Sequence, residues 1–412
     1  MKIDYVLSSY PSKPTIFVYR EIKELIRNGH DVRIISLLPK VFVSNKKKYE
    51  VIDNIDVLYP SSNPLSYLVS TLYCIFTGKS VIFSKEHFSE TFYLLNKKNI
   101  FKLIYCTFLI DNLIFKINLN KISIKHIHSH HLFFTTYIAY QISKKINAPF
   151  STTLYTLSYF YPKNILKAIL KKNIFIRTTT SELAPFYNGI IQDRSKFHHI
   201  SNGIHSKEFT FNPSYKIGEI LKIIAVGSLL DKKGFDTLIF SCLTLKEYGL
   251  NFDCKIIGDG PEKKFLNKLI KSLNLEKYIK IYTWIDNSLV LKKISDSDIL
   301  VMPCRLPKKS TRDGLPNVII EAMASGTIVI GSRFAGIPDI IKHKETGLLI
   351  SPENADEITN AIIEIYFDNT LREYLINNAL NKIKTEYSLE PNIFKLQQLF
   401  LSSDFLEKND EL

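Results

Sequence analysis

Cysteine is sparse and unpatterned in this 412-residue sequence: Cys74, Cys106, Cys242, Cys254 and Cys304, with no CxxC spacing and no histidine cluster at zinc distance. An odd, scattered set excludes a disulfide framework and a zinc ribbon, and it reads as buried thiols in a reducing compartment. The opening "MKIDYVLSSYPS" lacks a basic segment followed by an apolar one, so it is not a signal peptide. Long hydrophobic runs are also missing. The longest, "PLSYLVSTLYCIF" (64–76) and "IFKLIYCTFLIDNLIF" (100–115), fall short of the ~20 residues a spanning helix needs, and they read as buried helices, with contact to a membrane surface as the alternative. No low-complexity tract interrupts the chain, and 45% of it is hydrophobic, a globular composition.

Acidic residues are scarce in one half only. Residues 1–205 carry 27 Lys and Arg against 12 Asp and Glu, a balance of +15, whereas residues 206–412 carry 27 against 28, a balance of −1. A lopsided basic half implies a polyanionic partner or a solvated basic face. No recognition-helix or RNA-binding signature accompanies the charge, so nucleic acid is not the expected partner; an anionic membrane surface is. "PKNILKAILKKNIF" (162–175) sets Lys163, Lys167 and Lys171 on one helical face with Ile165, Leu166 and Ile169 elsewhere, a basic amphipathic pattern that suits a bilayer surface.

The length calls for two domains, and the pattern supplies them. A strand (2–9), a turn, a helix (15–29) ending at Gly29 and a strand (30–37) open a β-α-β alternation. It continues through strands at 125–131, 148–155 and 174–180 and closes with "KFHHISNGI" (196–204). The alternation restarts at "LKIIAVGSL" (221–229), with a helix at 235–249, a strand at 253–260, a helix at 261–274, and strands at 279–285, 299–304, 327–333 and 347–352. Alternating strands and helices predict parallel sheets with both faces covered, hence an α/β fold of two doubly wound, Rossmann-like domains. The expected boundaries are 1–205, a polar linker at 206–220 containing Pro213, 221–385, and a C-terminal helical segment at 386–412. Ligands of such sheets sit at the carboxyl ends of strands, and the cleft between two facing domains is the expected site.

The densest chemistry lies in "RDGLPNVIIEAMASG" (312–326). Pro316 suits a first helical turn and Gly326 the position past its end, which predicts a helix over 316–325. Its N-terminus, with the amides around Gly314, Leu315, Pro316, Asn317 and Val318, is an anion site. Asp313 lies outside that end, and Glu321 lies five residues inside Pro316, roughly 7–8 Å along the axis. Asn317 and Glu321 share a face. Two acids flanking an anion site suit a ligand with hydroxyls at both ends and negative charge between, which is the chemistry of a nucleotide sugar. A cation must then lie near, and Lys233 in "LLDKKGFD", after the strand "IIAVGS" with its Gly227 and Ser228, is the candidate.

The block "DGLPNVIIEAMASGTIVIGSRFAGIPDIIKHKETGLLISPEN" resembles the donor-binding region of retaining glycosyltransferases of family 4, which have the GT-B fold. It is similar more narrowly to bacterial enzymes of exopolysaccharide, O-antigen and colanic-acid type, among which Asp in place of the usual first Glu occurs. "FVYREIKELIRNGHDVRIISL", "SNGI" (201–204, with Asn202), "VGSLLDKKGFDTLI", "IIGDGPEKKFLNKLIKSLNLEKYIKIYTWI" and "SDILVMPC" extend the resemblance, in order, over most of the chain.

The resemblance implies an N-terminal acceptor-binding domain, a C-terminal nucleotide-sugar donor domain and a final helix crossing back to the first. It implies transfer of a sugar from a nucleotide-diphosphate donor, with retention, to a glycan or lipid-diphosphate-linked glycan, without a metal or other cofactor, on the inner face of the plasma membrane. It gives Asp313 to the donor-sugar hydroxyls, Glu321 to the ribose, and Lys233 with the 314–318 amides to the diphosphate. Two positions depart from the family. Ser228 stands where Arg usually follows the glycine. In "FSTTLYTLS", Tyr155 stands at the place of the usual His and Ser158 at that of the usual Asp. These departures motivate an alternative, a homologue that binds nucleotide or glycan without turnover or with altered specificity; an epimerase or a phosphorylase of the same architecture is a further one. "HIHSHH" (126–131) places His128 and His130 on one side of a strand with no acid or cysteine adjacent in sequence, which favours a structural or acceptor-side role over a metal site. "GDGPE" (258–262) lacks the Lys-Ser/Thr of a P-loop and reads as a strand-to-helix turn.

Overall fold

The protein is described from a computed structural model, which covers residues 1–11, 16–40, 52, 54–81, 100–130, 134–157, 163–205, 208–213, 215–283, 285–306 and 314–410. These group into two units, Met1–Ile200 with Leu389–Leu412, and Ser201–Ser388.

In the first unit, β1 (Lys2–Leu7), β2 (Asp31–Ser36), β3 (Asp56–Leu58), β4 (Ile127–His130), β5 (Phe150–Leu154), β6 (Ile176–Thr178) and β7 (Phe197–His199) form one sheet in the order β3-β2-β1-β4-β5-β6-β7. All its pairings are parallel. In the second, β8 (Leu221–Val226), β9 (Phe252–Ile257), β10 (Ile279–Tyr282), β11 (Ile299–Met302), β12 (Ile328–Ser332) and β13 (Leu348–Ile350) follow the order β10-β9-β8-β11-β12-β13, again all parallel. Both sheets wind outward from their first strand and then restart on its other side, so the order reverses between β1 and β4 and between β8 and β11. That is the doubly wound topology, and its switch points are where ligands enter such folds.

The strands read as near-continuous apolar runs because helices cover both faces. Alternate residues serve opposite cores. Ile3, Tyr5 and Leu7 of β1 pack with Val18, Ile22 and Leu25 of the helix Ile16–Arg27, while Val6 joins the core on the other face. Leu221, Ile223 and Ala225 of β8 divide from Ile224 and Val226 in the same way. The helix Leu389–Asp410 completes the first unit: Leu389, Ile393, Leu396 and Phe400 share the core of Ile3 and Tyr5.

Four details differ from the sequence reading, the first being that the helix Pro64–Phe76, expected to be buried, leaves Leu65 and Phe76 exposed at 63% and 86%. Pro261 precedes its helix, which begins at Lys263. Pro316 occupies the N-cap, with φ −68° and ψ 114°, and the helix runs Asn317–Ser325. The helix Lys163–Lys172 uses Ile165, Leu166, Ile169 and Leu170 in the core, so its apolar side faces inward and its lysines form an ordinary solvated face. All five cysteines are buried thiols.

Candidate active site

In the second unit the assigned residues lie on loops beyond the carboxyl ends of β8 and β11, beside the switch point. Gly227 and Ser228 follow β8 directly. A tight turn, Asp231–Lys233, then leads to Gly234, whose φ of +65° is the left-handed cap between the turn and the helix Phe235–Glu247. A Cβ at Gly234 would meet the Pro303 carbonyl oxygen at 2.1 Å, so glycine lets the turn close against the segment leaving β11. The stem of Lys233 runs across Gly227: a Cβ there would lie 3.5 Å from Lys233 Cε and 3.5 Å from the Phe235 ring.

Arg305, which the sequence did not single out, clamps this turn from the β11 side. Its backbone amide donates to the Lys232 carbonyl at 2.9 Å, and its guanidinium donates to Asp231 at 2.5 Å and Asp236 at 3.0 Å. Burial opposes its charge, but Asp231 and Asp236 more than offset that and raise its pKa. The only sequence signal was an Arg directly after a strand end in "VMPCR".

After β11 the chain re-enters the described region at Gly314. Gly314, Leu315 and Pro316 lead into Asn317–Ser325, whose first amides have no partner within the helix by construction. Pro316 has no N–H, so the amides that can face an anion here are those of Gly314, Leu315, Asn317 and Val318. Asn317 Oδ1 accepts from Asn202 Nδ2 at 3.1 Å. Glu321 is buried at 7% exposure in the second turn, and Ser325 Oγ donates to its carbonyl at 2.9 Å. Gly326, at φ +83°, ends the helix, and a Cβ there would meet Pro213 Cα at 2.8 Å. Asp313 lies outside the described residues. "GDGPE" is a packed turn: a Cβ at Gly258 would strike the Gly227 carbonyl oxygen at 1.9 Å, so these two loops lie back to back.

The first unit holds a separate polar cluster that runs along β4, from just before its first residue to its last, beside β1 and β5. His126, His128 and His130 project from one side, two residues apart, each bonded to a hydroxyl of the β5 segment. Ser151 Oγ meets His126 Nε2 at 2.6 Å and His128 Nδ1 at 2.7 Å; Thr153 Oγ1 meets His128 Nε2 at 2.9 Å; Tyr155 OH meets His130 Nδ1 at 2.7 Å. Beneath them lies Glu21, from the helix Ile16–Arg27. Tyr5 OH donates to it at 2.7 Å, Arg177 of β6 forms an ion pair with it, and His130 Nε2 stands 3.3 Å away.

Glu21 and Arg177 are both about fully buried, at 2% exposure each. Burial alone would push the Glu21 carboxyl up, but Arg177 and His130 outweigh it and hold it well below the usual carboxylate range. Burial, with Glu21 next, raises the Tyr155 and Tyr5 phenols. Burial lowers His126 to about 3 and keeps His128 neutral as well. The acid that the sequence reading found missing near "HIHSHH" is therefore present, brought in by a distant helix. Glu21, His128 and His130 could in principle ligate a metal. Arg177 already neutralises Glu21, and both His128 nitrogens are engaged by hydroxyls, so this donor set does not fit a cation as it stands. Ser158 lies outside the described residues.

Residues 206–382 match the family described as Glycosyl transferases group 1, and so this stretch is a glycosyltransferase domain of that group. Among similar curated proteins are the putative colanic acid biosynthesis glycosyltransferase WcaL of Salmonella typhimurium, 27% identical over 187 residues (45% of this chain and 46% of that protein), and the amylovoran biosynthesis glycosyltransferase AmsK of Erwinia amylovora, 26% identical over 186 residues (45% and 46%). The matched stretch thus spans about 46% of the length of these relatives. Among solved structures, the sucrose-phosphate synthase of Thermosynechococcus elongatus superposes with a TM-score of 0.74 at 18% identity, covering 98% of each chain. HepE of Anabaena, solved with UDP-glucose, superposes with a TM-score of 0.71 at 15% identity, covering 98% of this chain and 100% of that one. These likenesses establish the fold, which is GT-B.

Proposed function

We propose that the protein is a retaining glycosyltransferase that moves a sugar from a nucleotide-diphosphate donor to a glycan acceptor, lipid-diphosphate-linked, in the synthesis of a bacterial cell-surface polysaccharide. The observation that carries this reading is the placement of Lys233 across Gly227 and of the Asn317–Ser325 N-terminus with Glu321, both flanking the β8/β11 switch point. The helix end and Lys233 hold the diphosphate and stabilise charge on the departing phosphate, the kind of electrostatic effect that usually dominates such catalysis. Glu321 holds the ribose hydroxyls and Asp313 those of the donor sugar. The departing phosphate helps deprotonate the acceptor hydroxyl on the same face, so no protein nucleophile and no metal takes part. The buried Tyr155–His130 pair belongs to the acceptor-side unit. The basic balance of residues 1–205 supports work at the cytoplasmic face of an anionic membrane.

Thermal-shift titration with UDP, GDP, ADP and CMP, on the wild type and on Glu321→Ala, tests the donor site. A rise in Tm with one nucleotide, lost in the variant, supports the assignment and selects the donor sugars to assay. No rise with any nucleotide from a folded protein favours the non-catalytic alternative.

A further inference from the structure

The helix Pro64–Phe76 is turned inside out. Leu65, Leu68, Val69, Leu72 and Phe76 recur at the spacing of one helical face, and that face points outward, with exposures of 63%, 51%, 49%, 47% and 86%. The opposite face is small and polar, and it is the buried one: Ser70, Thr71 and Cys74 pack towards the helix Ile100–Leu119.

Specific bonds hold this orientation. Asn112 Nδ2 donates to Ser70 Oγ at 2.8 Å, Asn112 Oδ1 accepts from the Ser61 amide at 2.9 Å, and Cys74 Sγ meets the Asp111 carbonyl at 3.4 Å. Just past the helix, Ser80 Oγ and the Val81 amide donate to the Asp111 carboxylate at 2.6 and 3.1 Å. Rotating the helix to bury its leucines would break these bonds and leave Asn112 and Asp111 unsatisfied in the interior. The exposure is thus built in, and contiguous apolar faces of this size mark interaction surfaces.

From this geometry we infer that the Pro64–Phe76 face is the element that inserts into the headgroup region of an anionic bilayer. The inference rests on the membrane-surface reading given above and replaces the Lys163–Lys172 helix, whose apolar side is consumed by the core, as its structural basis. A bilayer fits this face better than a protein does. It is one convex helical ridge of large aliphatic side chains, about 20 Å long, and half-exposed Tyr73 and Tyr105 add the aromatic rings common at membrane interfaces. Charge is complementary too. From residue 57 to residue 85 the sequence holds no Asp or Glu. Lys79 follows the helix and donates to Asn118 at 2.8 Å, which brings it beside the end of Ile100–Leu119 and the exposed Lys121.

The test is co-sedimentation of the full chain with phosphatidylcholine vesicles and with mixed phosphatidylcholine–phosphatidylglycerol vesicles. Wild type is compared with Leu68→Glu/Leu72→Glu and with Lys163→Glu/Lys167→Glu/Lys171→Glu, alongside Tm and the nucleotide response. Expected results are wild-type binding to the anionic vesicles, a loss of about tenfold or more in the leucine variant, a smaller loss in the lysine variant, and unchanged Tm and nucleotide response in the leucine variant. If the leucine variant binds as wild type does, or the lysine variant loses more, this surface is wrong while the membrane reading stands. If wild type binds no vesicle, the membrane reading falls and this inference with it. A leucine variant with a lowered Tm shows that the chain itself covers the face. A wild-type dimer that the variant dissolves, without vesicle binding, shows that a second copy does. Either result overturns the proposal.

Discussion

Replacing Arg177 with methionine should be the most damaging single change in the first unit, and its damage should depend on pH in a defined direction. Arg177 and Glu21 are buried together, so removing Arg177 leaves a buried carboxylate without its full cationic partner, held by the Tyr5 hydroxyl and His130. Breaking such a pair by removing one member costs about 3–5 kcal/mol. For a unit of this size each kcal/mol moves Tm by about 2–4 °C, so Arg177→Met should lower it by about 6–20 °C at neutral pH. In the wild type the Glu21 pKa is depressed. The stability it contributes is present above the unfolded value of 4.5 and is lost only as pH falls through the lower folded value. Without Arg177, burial prevails and raises that pKa, so the variant is least handicapped when Glu21 is protonated and loses stability as pH rises. Thermal melts from pH 8 down to pH 5 should therefore show the gap between variant and wild type narrowing towards acid. Glu21→Gln/Arg177→Met, which removes both charges and keeps an acceptor for Tyr5, should cost less than Arg177→Met alone. A gap that is independent of pH, or a double variant worse than the single, would refute the account.

Three further outcomes follow from the site geometry. Lys233→Ala should weaken nucleotide binding by about 10- to 150-fold, the worth of one charge-assisted hydrogen bond, with Tm in the absence of nucleotide little changed; isothermal titration measures it. Gly234→Ala should both destabilise the second unit and weaken nucleotide binding, because its Cβ collides with the Pro303 carbonyl 2.1 Å away and forces the Lys233 turn to shift; melts and titration of one sample read both effects. Tyr155→Phe removes the hydroxyl bonded to His130 and should cost about 1 kcal/mol of stability, with the larger effect on turnover once an acceptor is in hand; equal losses in both would make Tyr155 a packing residue only.

The architecture was legible because parallel strands covered on both faces leave contiguous apolar runs such as "KIIAV", and because glycines such as Gly29 and Gly326 end helices where the pattern stops. The residues proposed for the donor side could be named from sequence because they fall in two short stretches, 227–234 and 313–321. The Glu21–Arg177 pair was not: its members lie 156 residues apart, Glu21 is one of several charges in its helix beside Arg20, Lys23 and Glu24, and only Arg177 is a lone charge in an apolar pattern. In hindsight Glu21 betrays itself by its place between Val18 and Leu25 on the buried stripe of its helix. The helix Pro64–Phe76 misled for a different reason. An apolar period shows that a helix has two faces, but which one turns inward depends on what its neighbour offers. Here the neighbour offers Asp111 and Asn112 rather than leucines.

Phe400 sets a timetable for synthesis. Its ring packs 5.1 Å from His126, 5.3 Å from His128 and 5.3 Å from Phe175, in a core that the first 200 residues share with Leu389, Ile393 and Leu396 of the same final helix. A ribosome making this chain releases the whole of Ser201–Ser388 before that ring emerges. The second unit therefore has all its parts while the first still waits with Ile3, Tyr5 and the histidine row uncovered. The half translated first is the half completed last, and a ribosome stalled near residue 390 would leave a finished second unit tethered to an unsealed first one.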